Sequence, residues 1–146
     1  MFKNLTAILI LFFCLNGCGS KDGLSDFEMQ NGIGPIKEKI ILNPTIDTLI
    51  AFYGKNIYEA KCLQCHKLDE KYTGPAQRNV LKRRSPEYVM NMILNPEEML
   101  LKHPEAQKML AEYPTKMTFQ NITVEEAKKI VEFFRKVGNE TPPIKK

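Results

Sequence analysis

Two of the chain's four cysteines and one of its two histidines stand together as Cys62-Leu63-Gln64-Cys65-His66, and Gly74-Pro75 follows shortly after. Three chemistries use cysteines at this spacing. A structural zinc site takes four ligands, usually two Cys-x-x-Cys pairs or one pair with two histidines. Here only His103 could join Cys62, Cys65 and His66, and no second Cys-x-x-Cys pair exists. A thioredoxin-like dithiol places its first cysteine at a helix N-terminus within a βαβ unit, where the dipole lowers the thiol pKa. In this chain the pair follows a helical pattern, and no strand pattern is visible. The third chemistry is covalent haem attachment. Each cysteine can form a thioether to one porphyrin vinyl group, and the adjacent histidine then reaches the iron. The neighbouring features fit this third chemistry.

The elements that must position this motif are helical. Ile46, Leu49, Ile50, Tyr53, Ile57 and Ala60 recur at the spacing of one helix face, with Pro44 just before them, so a helix over 45–61 leads directly into Cys62. Ser85 as N-cap and Pro86 at the first helical position open a second helix, through Tyr88, Val89, Met92 and Ile93, which Pro96 stops. Asn95-Pro96-Glu97-Glu98 opens a short helix, with acids at the positive end of its dipole. His103-Pro104-Glu105 opens another, to about residue 113. Thr123-Val124-Glu125-Glu126 is a capping box, followed by the apolar face Val124, Ala127, Ile130, Val131, Phe134 and Val137, with Gly138 at the end. No sustained alternation of the strand type interrupts these patterns, so the fold class is all-α. Two irregular stretches, 67–84 and 113–122, are long for a small helical domain and are expected to serve a site or wrap a large apolar ligand.

Residues 1–17 read as a signal segment. A short positive start at Lys3 precedes an apolar run over 5–15, which is too short for a good permanent membrane span. Leu15, Gly17 and Cys18 resemble the bacterial lipoprotein signal, which implies lipidation of Cys18, with Cys14 discarded. The alternative is a plain cleaved signal with an incidental cysteine. Acyl chains add about 0.8 kcal/mol of membrane affinity per buried methylene, and more than one chain makes the anchor stable. Residues 18–44, rich in Gly, Ser, Asp, Asn and Lys, read as a flexible tether with a reach of roughly 28 Å. The apolar patch Ile40-Ile41-Leu42 suggests that its last residues can pack on the domain. One domain over 45–138 follows, then a disordered tail over 139–146. Hydrophobic residues at 43% and charged residues at 26% belong to a globular chain rather than a disordered one. The net charge of +4, or +3 once Lys3 is lost with residues 1–17, is too small and scattered to indicate nucleic acid.

Over residues 45–138 the chain resembles a class I c-type cytochrome. Besides Cys62, Cys65 and His66, the resemblance rests on Gly54 and Tyr58 in the first helix, Gly74-Pro75, and Val80 and Arg83. It implies the cytochrome c fold, with long haem-wrapping loops and with N- and C-terminal helices that cross through Gly54, Tyr58 and the partner aromatic Phe134. It also implies one covalent haem c, in which the Pro75 carbonyl accepts the second ring N–H of His66. Gln77 stands where an apolar residue is more usual. The distal ligand implied is Met117, six residues before the capping box, although Thr118 replaces the proline that often follows it. His103, another methionine or an open distal site are the alternatives. By itself, His103 beside Pro104 reads as a solvated helix-start residue. Met90, Met92, Met99 and Met109 read as helix-borne core filler.

A haem iron held by His66 and Met117 would have no vacancy for oxygen or peroxide, which implies an electron carrier and not an enzyme. The implied setting is a monomer, exported and lipid-anchored at Cys18 on the periplasmic side of a bacterial membrane. Its partners would be redox proteins, namely a membrane-bound respiratory donor and an envelope reductase or oxidase. Two rivals are a sensor or peroxidase with an open distal site, and a dedicated haem subunit tethered to one respiratory complex. Lys55, Lys61, Lys67, Lys71, Arg78, Lys82, Arg83 and Arg84 surround the motif in sequence. They read either as a positive docking face or as an ordinary mixed surface, with some charges answering the haem propionates. With no tryptophan in the chain, the propionate partners are to be sought among Tyr72, Arg78, Arg83, Arg84 and Tyr88.

Overall fold

The computed structural model describes residues 23–142. The expected signal segment, Cys14, the expected lipidation site Cys18 and the end of the tail lie outside the described residues. Among those described, seven helices occur and no strand: α1 (Asp26–Asn31), α2 (Thr48–Lys61), α3 (Val80–Arg83), α4 (Pro86–Leu94), α5 (Pro96–Lys102), α6 (Pro104–Glu112) and α7 (Val124–Gly138). The caps explain the boundaries. Asp47 accepts from the backbone N–H groups of Leu49 and Ile50, so α2 starts three residues later than the apolar periodicity suggests. Ser85 caps α4, and Thr123 with Glu126 forms the capping box of α7. The single turn α3, inside the expected irregular stretch 67–84, has no side-chain cap and begins after Asn79 in the left-handed region at φ 61°.

Helices α2 and α7 make the most extensive helix–helix interface, and they cross where Gly54 meets the backbone of Lys129 and Ile130. A Cβ at Gly54 would overlap the Lys129 carbonyl, so the spacing at this crossing requires glycine. Tyr58, one turn later, is 2% exposed and packs on Phe133 and Phe134 at ring-centroid distances of 5.4 and 5.6 Å. The core continues through Val89, Met90 and Ile93 of α4 and Ile122, Ala127, Ile130, Val131 and Val137. Glu132, buried on α7, accepts from the Asp47 backbone N–H at 2.7 Å and pairs with Arg135. This ties the N-cap of α2 to α7, so the start of the helix that ends at Cys62 is held from both sides.

The region expected to be a flexible tether is, over residues 24–40, docked on the domain. Its glycines and polar residues satisfy the usual signs of a linker, but its backbone bonds are taken by buried side chains of α4 and α5. Asn91, 0% exposed, donates through Nδ2 to the carbonyls of Asn31, Gly32 and Ile36 and accepts the Ile36 N–H at 2.9 Å. Glu87 accepts the Ile40 N–H at 2.7 Å, and the Met99 sulfur accepts from Ile33 N at 3.0 Å. Gly32, at φ 80°, and Gly34 lie so close to Met99 and Asn91 that a side chain on either would collide. His103 corrects a second expectation. It is 0% exposed rather than solvated, its Nδ1 caps α6 by accepting from Glu105 N, and its Nε2 meets the Glu28 and Met29 carbonyls at 3.2 Å. Because four backbone groups of residues 31–36 depend on Asn91, Asn91→Ala is expected to cost about 2–4 kcal/mol in denaturant unfolding of the haem-loaded protein. Hydrogen exchange at the Ile36 N–H should accelerate in the same variant, and an unchanged rate would contradict the docking role.

Candidate haem site

The motif sits where α2 ends. Cys62 is the C-cap, its N–H donating to the Tyr58 carbonyl, and the N–H groups of Cys65 and His66 both turn back to the Cys62 carbonyl at 3.0 and 2.9 Å. The Tyr58 hydroxyl, held by the α2–α7 crossing, donates to the His66 carbonyl at 2.7 Å. The crossing of α2 and α7 therefore fixes the backbone of the histidine directly. From there the chain runs to Gly74, whose N–H donates to the Cys65 carbonyl, and to Pro75, whose carbonyl lies 3.1 Å from His66 Nδ1. The imidazole rests against Gly74 so closely that a Cβ there would fall 2.7 Å from Nδ1. Glycine is thus required by the ring.

Cys62, Cys65, His66, Pro75 and Met117 all line one cleft of about 860 Å³, within the usual size for cofactor pockets. Burial pushes the Cys62 thiol up to about 11, against the lowering effect of Lys61, so this thiol is protonated at neutral pH. That is the opposite of an activated redox dithiol. Among the described residues no group of three or more His, Cys, Asp and Glu side chains is arranged to hold a metal ion. Burial also holds His66 below the ordinary histidine range despite its bond to Pro75, which leaves Nε2 a neutral nitrogen ligand. Of the methionines, Met92, Met109 and Met117 reach the cleft. Met90 is fully buried in the core and the Met99 sulfur is engaged by Ile33, so neither lines it. Met117 alone of the three lies on an irregular segment, where Gln120 Nε2 donates to both the carbonyl and the hydroxyl of Thr118. These bonds brace the loop at the residue where proline is more common. His103, committed to α1 and α6, does not line the cleft.

Two features of the cleft fit a haem in particular. Its lining combines apolar side chains such as Val80, Val89, Ile93 and Ile130 with a cationic rim of Lys61, Arg83, Arg84 and Lys116, against Glu112 as the only acid. In addition, the Tyr88 hydroxyl lines this cleft, buried and without a hydrogen-bond partner in the protein. Burial raises its pKa, so it is a neutral phenol with a proton to donate, as a carboxylate would require. Arg84 lies 4.9 Å over the Tyr88 ring and pairs with Glu105. Arg83 also lines the cleft, whereas two of the named propionate candidates point elsewhere. Arg78 is 8% exposed and bound to Asp69 and the Val137 carbonyl, and Tyr72 is 58% exposed beneath Lys67. Sequence patterning could not select Tyr88 or Arg84 from this set, because the missing partner of a buried hydroxyl is visible only in three dimensions.

A helical domain with crossed terminal helices, a large cleft and Cys-x-x-Cys-His at its edge defines a protein that carries a covalently attached haem. The chain belongs to the cytochrome c family, whose profile covers residues 51–138. It is similar to the solved cytochrome c of Rhodothermus marinus, at 40% identity over 76% of this chain and 95% of that one, with a TM-score of 0.72. Two engineered forms of that cytochrome c are similar at 38% and 37% identity, each covering 77% of this chain and 97% of theirs, with TM-scores of 0.73 and 0.71. The second of them is bound to a carbene intermediate. No curated protein matches the chain. The family binds one covalent haem c, generally carries electrons, and is usually exported. No helix of the described residues is long and apolar enough to cross a membrane.

Proposed function

We propose that the protein is a monomeric electron carrier of the cell-envelope respiratory chain, exported and anchored by lipid at Cys18. The observation that supports it best is the convergence of Cys62, Cys65, His66 and Met117 on one cleft. When bound, haem c supplies a one-electron Fe(II)/Fe(III) couple. Cys62 and Cys65 would hold it as thioethers, and His66 Nε2 and the Met117 sulfur would be the iron's protein ligands. Pro75 orients the imidazole by accepting from Nδ1, while Tyr88 and Arg84 would meet the propionates. A thioether ligand favours the ferrous state, and a filled coordination shell leaves no place for peroxide or a gas. The basic rim suits an acidic docking surface on a membrane-bound donor or an envelope reductase or oxidase, with association that weakens as salt rises. Of the eight basic residues around the motif in sequence, Lys61, Arg83 and Arg84 belong to this rim, where Arg84 also pairs with Glu105 and Lys61 with Glu126.

One preparation tests both parts of the reading: protein made with labelled fatty acid, purified from membranes and examined by absorption. A low-spin reduced α-band, a weak far-red ferric band and label that is lost in Cys18→Ser are expected. A high-spin ferric protein that readily takes up carbon monoxide when reduced would overturn the carrier reading. Protein without label would overturn the anchor.

A further inference from the structure

The triangle formed by His66, Pro75 and Gln77 assigns a task to the residue that departs from the family pattern. We infer that the Gln77 side-chain amide competes with His66 for the Pro75 carbonyl and thereby raises the reduction potential of the haem that His66 ligates. The inference rests on the axial-ligand reading above. Gln77 Nε2 lies 2.9 Å from the Pro75 carbonyl oxygen and 2.9 Å from His66 Nδ1, and Nδ1 lies 3.1 Å from the same oxygen. In the structure the amide turns its NH2 towards the proline carbonyl, which only accepts. With Nε2 of His66 facing a metal, Nδ1 carries the proton. Two N–H donors then converge on one carbonyl, and the contact between Nδ1 and Nε2 sets donor against donor.

Both consequences act in one direction. Donation from Nδ1–H to a strong acceptor makes the imidazole a more electron-rich ligand, which favours ferric iron. A carbonyl shared with Gln77 is a weaker acceptor. The positive end of the amide dipole beside the ring likewise disfavours the extra charge of the ferric state. The surrounding backbone is held independently of this side chain. Gln77 N donates to the Lys67 carbonyl at 3.0 Å, and Arg83 donates to the carbonyls on either side of Gln77, Ala76 at 2.8 Å and Arg78 at 3.2 Å. Gln77 is therefore a positioning residue that acts through Pro75 and His66, and its side chain can be exchanged without freeing the loop.

The test is potentiometric titration of the haem-loaded parent, Gln77→Leu and Gln77→Glu, with proton NMR of the reduced forms. Leucine removes the competing donor and should shift the couple at least threefold towards ferric, a fall of about 28 mV at 59 mV per tenfold for one electron. Glutamate replaces the donor with acceptors and should lie at or below the leucine variant. The His66 Nδ1 proton resonance should move downfield in Gln77→Leu as its bond to Pro75 strengthens. A potential in Gln77→Leu equal to or above the parent, or a Gln77→Glu potential above the parent, would overturn the role of Gln77. If those results came with low-spin spectra in all three proteins, the axial-ligand reading would survive and only this inference would fall. A parent without a low-spin spectrum would remove both.

Discussion

Met117→Ala is expected to abolish the far-red ferric band, convert the ferric protein to high spin and open the reduced iron to carbon monoxide. It should also lower the reduction potential, because the soft thioether that favours ferrous iron is gone. The attachment proposed at Cys62 and Cys65 does not depend on Met117, so the variant should still carry haem at full stoichiometry. That separates loss of a ligand from loss of the cofactor. The cleft supplies the controls, since Met92 and Met109 also line it but stand on helices. Met92→Ala and Met109→Ala should keep the far-red band. If Met117→Ala kept the band and one of these lost it, the distal assignment would pass to that helix. Met117 is half-buried against the main core cluster, so a modest stability loss should accompany the spectral change.

Gly54→Val should have the largest effect on stability, about 3 kcal/mol or more, because the new side chain meets backbone and not a flexible side-chain end. Helices α2 and α7 would have to separate to admit it. The same displacement would draw Tyr58 from Phe133 and Phe134 and its hydroxyl from the His66 carbonyl, so damage at the crossing should reach the site. Denaturant unfolding of the haem-loaded protein measures the first effect, and loss of intensity in the low-spin spectrum reports the second. Gly138→Ala is the control. A Cβ there meets only Asn79 Oδ1 at 3.7 Å, an ordinary contact, and the variant should unfold close to the parent. Equal stability of Gly54→Val and the parent would mean that the crossing is looser than its geometry indicates.

The motif was legible in its own residue types, and the crossing through the family resemblance that Gly54 and Tyr58 carry. Gly54 inside a helical pattern, Tyr58 one turn on, and a capping box at Thr123 with Glu126 are local signals whose physics does not depend on the rest of the chain. The docked segment 24–40 was not legible. Glycine and polar residues look alike in a linker and in a backbone bonded by distant side chains, and Asn91 lies 55 residues from Ile36. His103 misled for a related reason. Beside Pro104 it has the signature of an exposed helix start, and its burial comes from α1, a helix not foreseen.

By itself the sequence determined the all-α class, because helical periodicity and caps are short-range signals, and its resemblance to the family implied the α2–α7 crossing and the unit of Cys62, Cys65, His66 and Pro75. Tertiary structure alone decided which methionines reach the cleft, which of the candidate tyrosines and arginines face it, and how Gln77 shares the Pro75 carbonyl with His66. These depend on where side chains from separate helices and loops converge, and on which polar atoms have already found partners. No local pattern in a chain records either.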